Sequence, residues 1–179
     1  METAHYKLSE PIITRDQIES RIKDLAFFLE EKYATDSNLV LIGVLKGAFV
    51  FLSDISRAIS FDVEIDFFQA SSYGSSTVSS REVTIKRDLS LSIEGKNVVL
   101  VEDIIDSGNT IQKIKEILQK RNPKSIILCS LIDKPARRET PVTIDWVGFT
   151  IPDLFIVGYG LDVDEKFRNL PYLAEAIPI

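Results

Sequence analysis

One cysteine stands in the whole chain, Cys129, within the apolar run Ile126–Ile132. A lone thiol excludes an internal disulfide, and its setting reads as a small buried hydrophobe rather than a nucleophile. Long apolar runs are missing too: none approaches the ~18 residues needed to span a membrane. The opening stretch Met1–Lys7 is polar and has no signal-peptide core. All of this fits a reducing cytoplasm. Positive charge is in deficit, with 21 Lys and Arg against 27 Asp and Glu and a net charge of −6. Non-specific nucleic-acid binding depends on cations neutralising phosphates, so that class is disfavoured. A small phosphorylated ligand is not, since a metal ion, a few local cations and backbone N–H groups can hold it. There is no repeat, no long linker and no heptad run. Neither GxxxxGK[ST] nor GxGxxG occurs anywhere, so the common phosphate motifs are absent.

What is present reads as one domain over residues 1–179, long enough to bury a sizeable core. Thr14-Arg15-Asp16-Gln17 has the capping-box spacing, and Ile18, Ile22, Leu25 and Leu29 then recur on one helical face. Leu39–Leu45 is a continuous apolar strand, followed by Lys46-Gly47 and a helix through Leu52, Ile55 and Ile59. Val63, Ile65 and Phe67 alternate with Asp62, Glu64 and Asp66, which predicts a half-buried strand with the apolar set inward. Val98–Val101, Ser125–Ile132, Thr143–Phe149 and Phe155–Gly158 are further short strands, and Ile111, Ile114 and Leu118 mark a helix ending near Asn122-Pro123. Short apolar strands alternating with helices predict an α/β fold, a mostly parallel sheet covered on both faces. The N-terminal helix and the C-terminal tail fit that sheet least well and are expected to form a small cap over one edge.

The chemistry concentrates in Val98–Thr110. The strand delivers Glu102 and Asp103 to its C-terminal end, where ligands bind in open α/β sheets. Asp106 follows, and Ser107-Gly108-Asn109-Thr110 opens the next helix. Gly108 allows close backbone approach, the helix start offers N–H groups to an anion, and Ser107 and Thr110 add hydroxyls. Acids able to hold ribose hydroxyls or Mg²⁺ thus stand beside a phosphate cradle. The plainer alternative is an ordinary helix start with a capping residue.

The same segment resembles the phosphoribosyl pyrophosphate motif of the type I phosphoribosyltransferases. Its Glu-Asp-Ile-Ile-Asp-Ser-Gly-Asn-Thr is similar to the hypoxanthine (hypoxanthine-guanine) branch. Four further stretches match in order: Gly43–Gly47, Ser71–Ser75, Asp133–Arg138 and Ile151–Asp162. The resemblance implies the family's twisted, mostly parallel sheet flanked by helices, with a hood built from the chain ends. It implies transfer of a phosphoribosyl group to hypoxanthine or guanine, giving IMP or GMP and pyrophosphate with Mg²⁺, and a homodimer or homotetramer.

Residue by residue, the resemblance assigns Glu102 and Asp103 to the ribose hydroxyls and the metal, with Asp162 as a further metal ligand facing the site. Asp106, Ser107, Gly108, Asn109 and Thr110 would hold the 5′-phosphate, and Asp106 would also be the catalytic base. Lys46 and Gly47 would meet the pyrophosphate, in this family often across a cis peptide, together with Arg168. Lys134 would donate to the purine O6, which favours oxopurines because adenine would present a donor to a donor. Phe155 would stack on the base and the backbone of Ile156 would read its edge. Ser72 and Tyr73 would belong to a lid that excludes water from the ribose carbon. Arg137 and Arg138 read as subunit contacts or solvated surface. Two other readings compete with the transferase: a regulator that keeps the pocket without turnover, and an unrelated α/β phosphoacceptor that leaves Lys134 and the lid idle.

Overall fold

A computed structural model describes residues 5–35, 38–72 and 83–179 of the chain. In chain order these form strand β1 (Tyr6–Ile13), helix α1 (Arg15–Tyr33), β2 (Leu39–Val44), α2 (Phe49–Ala58), β3 (Glu64–Ser72) and β4 (Val83–Arg87). There follow β5 (Asn97–Ile105), α3 (Asn109–Gln119), β6 (Ser125–Asp133), a 3-10 turn (Pro135–Arg137), β7 (Trp146–Thr150), β8 (Ile156–Val157) and β9 (Leu173–Pro178).

Six strands make one sheet in the order β4-β3-β2-β5-β6-β7, parallel throughout except for antiparallel β4. Alternate residues of a strand face opposite sides, and the apolar runs divide accordingly. From β2, Leu39 and Leu41 enter one core with α1 and α2, while Val40 and Ile42 enter the other with α3. Val99 and Val101 of β5 join the first core, and Val98 and Leu100 the second. Cys129 is buried in the first core, and burial pushes its thiol far above the ordinary range. No helix among the described residues is long and apolar enough to cross a membrane.

Helix α1 starts on the capping box expected of it. Thr14 Oγ1 accepts the Gln17 N–H at 3.3 Å and Gln17 Oε1 accepts the Thr14 N–H at 2.8 Å. Contrary to expectation, α1 is no part of a cap. Its apolar face packs into the main core, and Arg21 reaches the sheet edge, donating to the carbonyls of Val147 and Gly148. The cap is instead a second sheet, β1-β9-β8, antiparallel and built from the two ends of the chain. The expected strand at Phe155–Gly158 therefore shrinks to β8 and belongs to this hood rather than to the parallel sheet. The reading of β3 is also corrected: Ile65 is 42% exposed, whereas Asp66 is buried and Phe68 fills the core. Asp66 is tolerated there because its carboxylate accepts backbone N–H groups from Phe67, Ser90 and Leu91.

Candidate functional site

Strand β5 runs on to Ile105, so Glu102 and Asp103 lie near its C-terminal end, as expected. Being adjacent, the two acids face different sides. Asp103 abuts Gly47, where a Cβ would stand 1.5 Å from Asp103 Oδ2. Gly160 is packed on Gly47 in turn, with a φ of +102° and room for a Cβ only 2.0 Å from the Gly47 carbonyl oxygen. Both glycines are needed for this close seating. The Leu45–Lys46 peptide leading into the loop is cis.

Burial pushes Asp103 up to about 6; hydrogen bonds from the Ile104 and Asp103 amides and the charge of Arg168 pull it back, and Asp162 pushes it further up. Glu102 is held well above the carboxylate range, first by burial and then by the charge of Asp103. Its Oε2 is buried without a hydrogen-bond partner among the described residues. Burial thus penalises the charged form of both acids, and of the two only Asp103 feels an offsetting cation, Arg168.

Glu102 lines a cleft of about 150 Å³ together with Ile104, Asp106, Ser107, Gly108 and Thr110. Gly108 is the N-cap of α3, with a φ of +85°, and brings no capping side chain; Ser107 Oγ meets only the Asn109 N–H, at 3.4 Å, and the first turn has no acid. Uncapped N–H groups at a dipole's positive end suit an anion. The Asn109 side chain donates to Glu139 Oε2 at 2.6 Å and accepts from the Thr140 hydroxyl, which leaves its backbone to the cradle. Asp106 Oδ1 is buried without a partner among the described residues, and Oδ2 meets Arg137 Nη1 at 3.2 Å.

On the Asp103 side the cations gather. Arg168 pairs with Asp162 at 2.7 Å and with Glu165 at 3.1 Å, and donates to the Gly160 carbonyl at 2.7 Å. Lys46 meets the other oxygen of Glu165 at 3.0 Å. Glu165 thus joins the two cations expected to share one ligand, a role that an acid in the run Asp162–Lys166 did not signal. Lys134 follows β6 and is only 4% exposed. Its ammonium donates to the Leu154 carbonyl at 2.9 Å and meets Asp153 at 3.1 Å. Arg137 lies 3.8 Å from Asp153, so a chain of charges runs Asp106, Arg137, Asp153, Lys134.

Phe155 is 51% exposed, 6.1 Å from the ring of Tyr6, and so is not a core residue; Ile156 beside it is buried. Of the expected lid, Ser72 closes β3 and Tyr73 lies outside the described residues. A larger cavity of about 680 Å³ lies between α1, α2 and the segment Arg168–Pro171. Of the residues assigned above, only Arg168 lines it, so the chemistry points to the smaller cleft.

A parallel sheet bearing two adjacent buried acids, with a glycine-opened helix start on one side and cations on the other, has the makings of a site for a phosphorylated substrate. The chain belongs to the family described as the phosphoribosyl transferase domain, whose model matches residues 13–164. It is 47% identical over 169 residues to the hypoxanthine phosphoribosyltransferase of Escherichia coli, covering 94% of this chain and 95% of that protein. The enzyme of the same name from Haemophilus influenzae is 44% identical over 168 residues, covering 93% and 94%. Among solved structures, a hypoxanthine-guanine phosphoribosyltransferase from Bacillus anthracis, with a HEPES molecule in its active site, superposes with a TM-score of 0.90 at 44% identity. The match covers 96% of this chain and all of that one.

Proposed function

We propose that this chain transfers the 5-phosphoribosyl group of phosphoribosyl pyrophosphate to hypoxanthine, and also to guanine, giving IMP or GMP and pyrophosphate in purine salvage. The observation that carries the reading is the meeting of two features. A buried acid strand and an uncapped helix start suit a ribose phosphate, and the buried cation Lys134 stands one charge chain away from Asp106. In this reading the backbone of 106–110, with the hydroxyls of Ser107 and Thr110, holds the 5′-phosphate. Lys46, Gly47 and Arg168 bind the leaving pyrophosphate. Lys134 donates to the purine O6, Phe155 covers the ring, and the backbone of Ile156 meets its edge.

Glu102 and Asp103 suit a hard divalent cation, because both are buried oxygen donors whose charged forms burial disfavours, and Glu102 Oε2 has no partner among the described residues. Mg²⁺ is the cation of this proposal; held by these acids, it would offset the negative charge that gathers on the leaving pyrophosphate. Asp162 holds Arg168 through one oxygen and the Glu165 N–H through the other, and is the third acid on that side. As the bond from N9 to the ribose carbon forms, a proton leaves the imidazole ring, and Asp106 stands as the carboxylate that accepts or steadies it at N7. Arg137 holds Asp106 Oδ2, and the unpartnered Oδ1 is the oxygen left for that proton. Closure of Ser72 and Tyr73 over the site, a cytoplasmic location and assembly as a homodimer or homotetramer belong to the same proposal.

The test is nucleotide formation from Mg²⁺–phosphoribosyl pyrophosphate with hypoxanthine, guanine, xanthine and adenine in parallel, in the parent and in Asp106→Asn. The parent is expected to favour hypoxanthine and guanine over adenine. Asp106→Asn is expected to bind phosphoribosyl pyrophosphate with turnover down about a hundredfold or more. No product from any base would remove the proposed activity, and a near-normal kcat in the variant would remove Asp106 as the base.

A further inference from the structure

The loop read as the phosphate cradle is tied along its backbone to a neighbouring segment that follows β6. The carbonyl of Ile105 accepts the Lys134 N–H at 3.0 Å and Arg138 Nη2 at 3.3 Å. That of Asp106 accepts Arg138 Nε at 3.0 Å. That of Ser107 accepts the N–H groups of Glu139 at 2.9 Å and Thr140 at 3.0 Å. Three successive carbonyls are thus tied to residues 134–140. In a trans peptide the carbonyl and the next N–H point opposite ways, so this fixes the amides of Asp106, Ser107 and Gly108 on the other side. Gly108 is seated against the same segment, since a Cβ there would meet the Thr140 carbonyl oxygen at 2.6 Å and Arg138 Cδ at 3.0 Å.

Arg138 is the one side chain in this set of contacts that holds two of the carbonyls. Its guanidinium also pairs with Asp133, the last residue of β6, and its side chain is 18% exposed. A planar fork with several fixed donors can serve two carbonyls and a carboxylate at once, which a lysine ammonium on a flexible stem does not reproduce. We propose that Arg138 is a positioning residue for the 5′-phosphate: anchored by Asp133, it holds the Ile105 and Asp106 carbonyls back so that the loop's N–H groups stay turned to the anion. The inference rests on the reading of residues 106–110 as the phosphate cradle.

The test compares dissociation constants for IMP and for inorganic pyrophosphate, each with Mg²⁺, in the parent, Arg138→Gln, Arg138→Lys and Thr110→Ala. IMP carries the 5′-phosphate, whereas pyrophosphate does not use the loop. Both Arg138 variants are expected to weaken IMP about tenfold or more while pyrophosphate binding stays at the parental value. Thr110→Ala, which removes a cradle hydroxyl directly, is expected to weaken IMP as well. If Arg138→Gln does not fold, Arg138→Lys carries the same two readouts. Parental IMP affinity in Arg138→Lys, or pyrophosphate affinity that falls in step with IMP, overturns the proposal, because charge or general stability would then account for the residue. Loss in Thr110→Ala alone removes Arg138 and keeps the cradle. Loss in the Arg138 variants with Thr110→Ala unchanged removes the cradle reading, and the proposal with it.

Discussion

Asp66 and Asp103 are two buried aspartates in parallel strands of one sheet, separated only by β2, and they are held in opposite ways. Asp66 Oδ1 accepts the Phe67 N–H at 2.8 Å, while Oδ2 accepts those of Ser90 at 2.6 Å and Leu91 at 2.9 Å. Its charge is spent on tying the chain after β4 to β3. Asp103 Oδ1 accepts the Ile104 N–H at 2.9 Å, its own N–H adds a second local hydrogen bond, and Oδ2 faces the bare Cα of Gly47. Burial and Asp162 push its carboxyl up, only partly offset by the Ile104 and Asp103 amides and by Arg168. Equal burial therefore does not mean equal purpose. An acid whose oxygens are filled by backbone donors from distant residues serves the fold, and one that turns an oxygen to the bare Cα of Gly47 stands ready for a cation from outside.

The largest effect should come from removing the charge that awaits the cation. Asp103→Asn is expected to lower turnover about a hundredfold or more, measured as IMP formation at saturating hypoxanthine. Turnover close to the parent's would mean that Asp103 is as structural as Asp66. The converse substitution, Asp66→Ala, is expected to cost about 3 kcal/mol or more of stability, because it orphans the N–H groups now held by the carboxylate. Denaturant unfolding would measure it, with kcat of the folded variant close to the parent's. A large loss of kcat without loss of stability would break the contrast from the other side.

These two residues also mark where the sequence was legible. The capping box at Thr14 and the parity of Leu39–Val44 could be read from side-chain letters, because local spacing and burial decide them. So could the family motif around Glu102–Thr110, which states the chemistry in residue types. The alternation at Val63–Phe67 misled because Asp66 is buried by backbone donors from distant residues, and an apolar-polar pattern does not encode them. The hood was only half legible: β1 carries Pro11 and two register shifts, and β8 is two residues long, too little for a period to show. Arg138 read as surface for a similar reason. What it holds are carbonyls of the loop, and the letters of the loop do not reveal which way its peptides turn.

A smaller effect separates the two acids by pH. The folded Asp103 keeps its proton up to about 6, above its ordinary value of 3.8. Its contribution to stability is thus full below the unfolded value and is lost as pH rises from about 4 to about 6, by roughly 3 kcal/mol. Unfolding free energies of the parent and Asp103→Asn across that range, without metal or substrate, should diverge in the variant's favour as pH rises. A constant difference would show that the Asp103 carboxyl is not strained by burial.

The most direct measurement is the unfolding free energy of the parent and Asp103→Asn at pH 7.5, with and without Mg²⁺–phosphoribosyl pyrophosphate. A ligand that binds only the folded state stabilises it in proportion to its affinity. Without ligand the variant should be the more stable protein, and with saturating ligand the order should reverse. A variant that is less stable than the parent under both conditions, and is stabilised by the ligand as much as the parent is, would contradict the claim that the buried acid is kept for the substrate's cation.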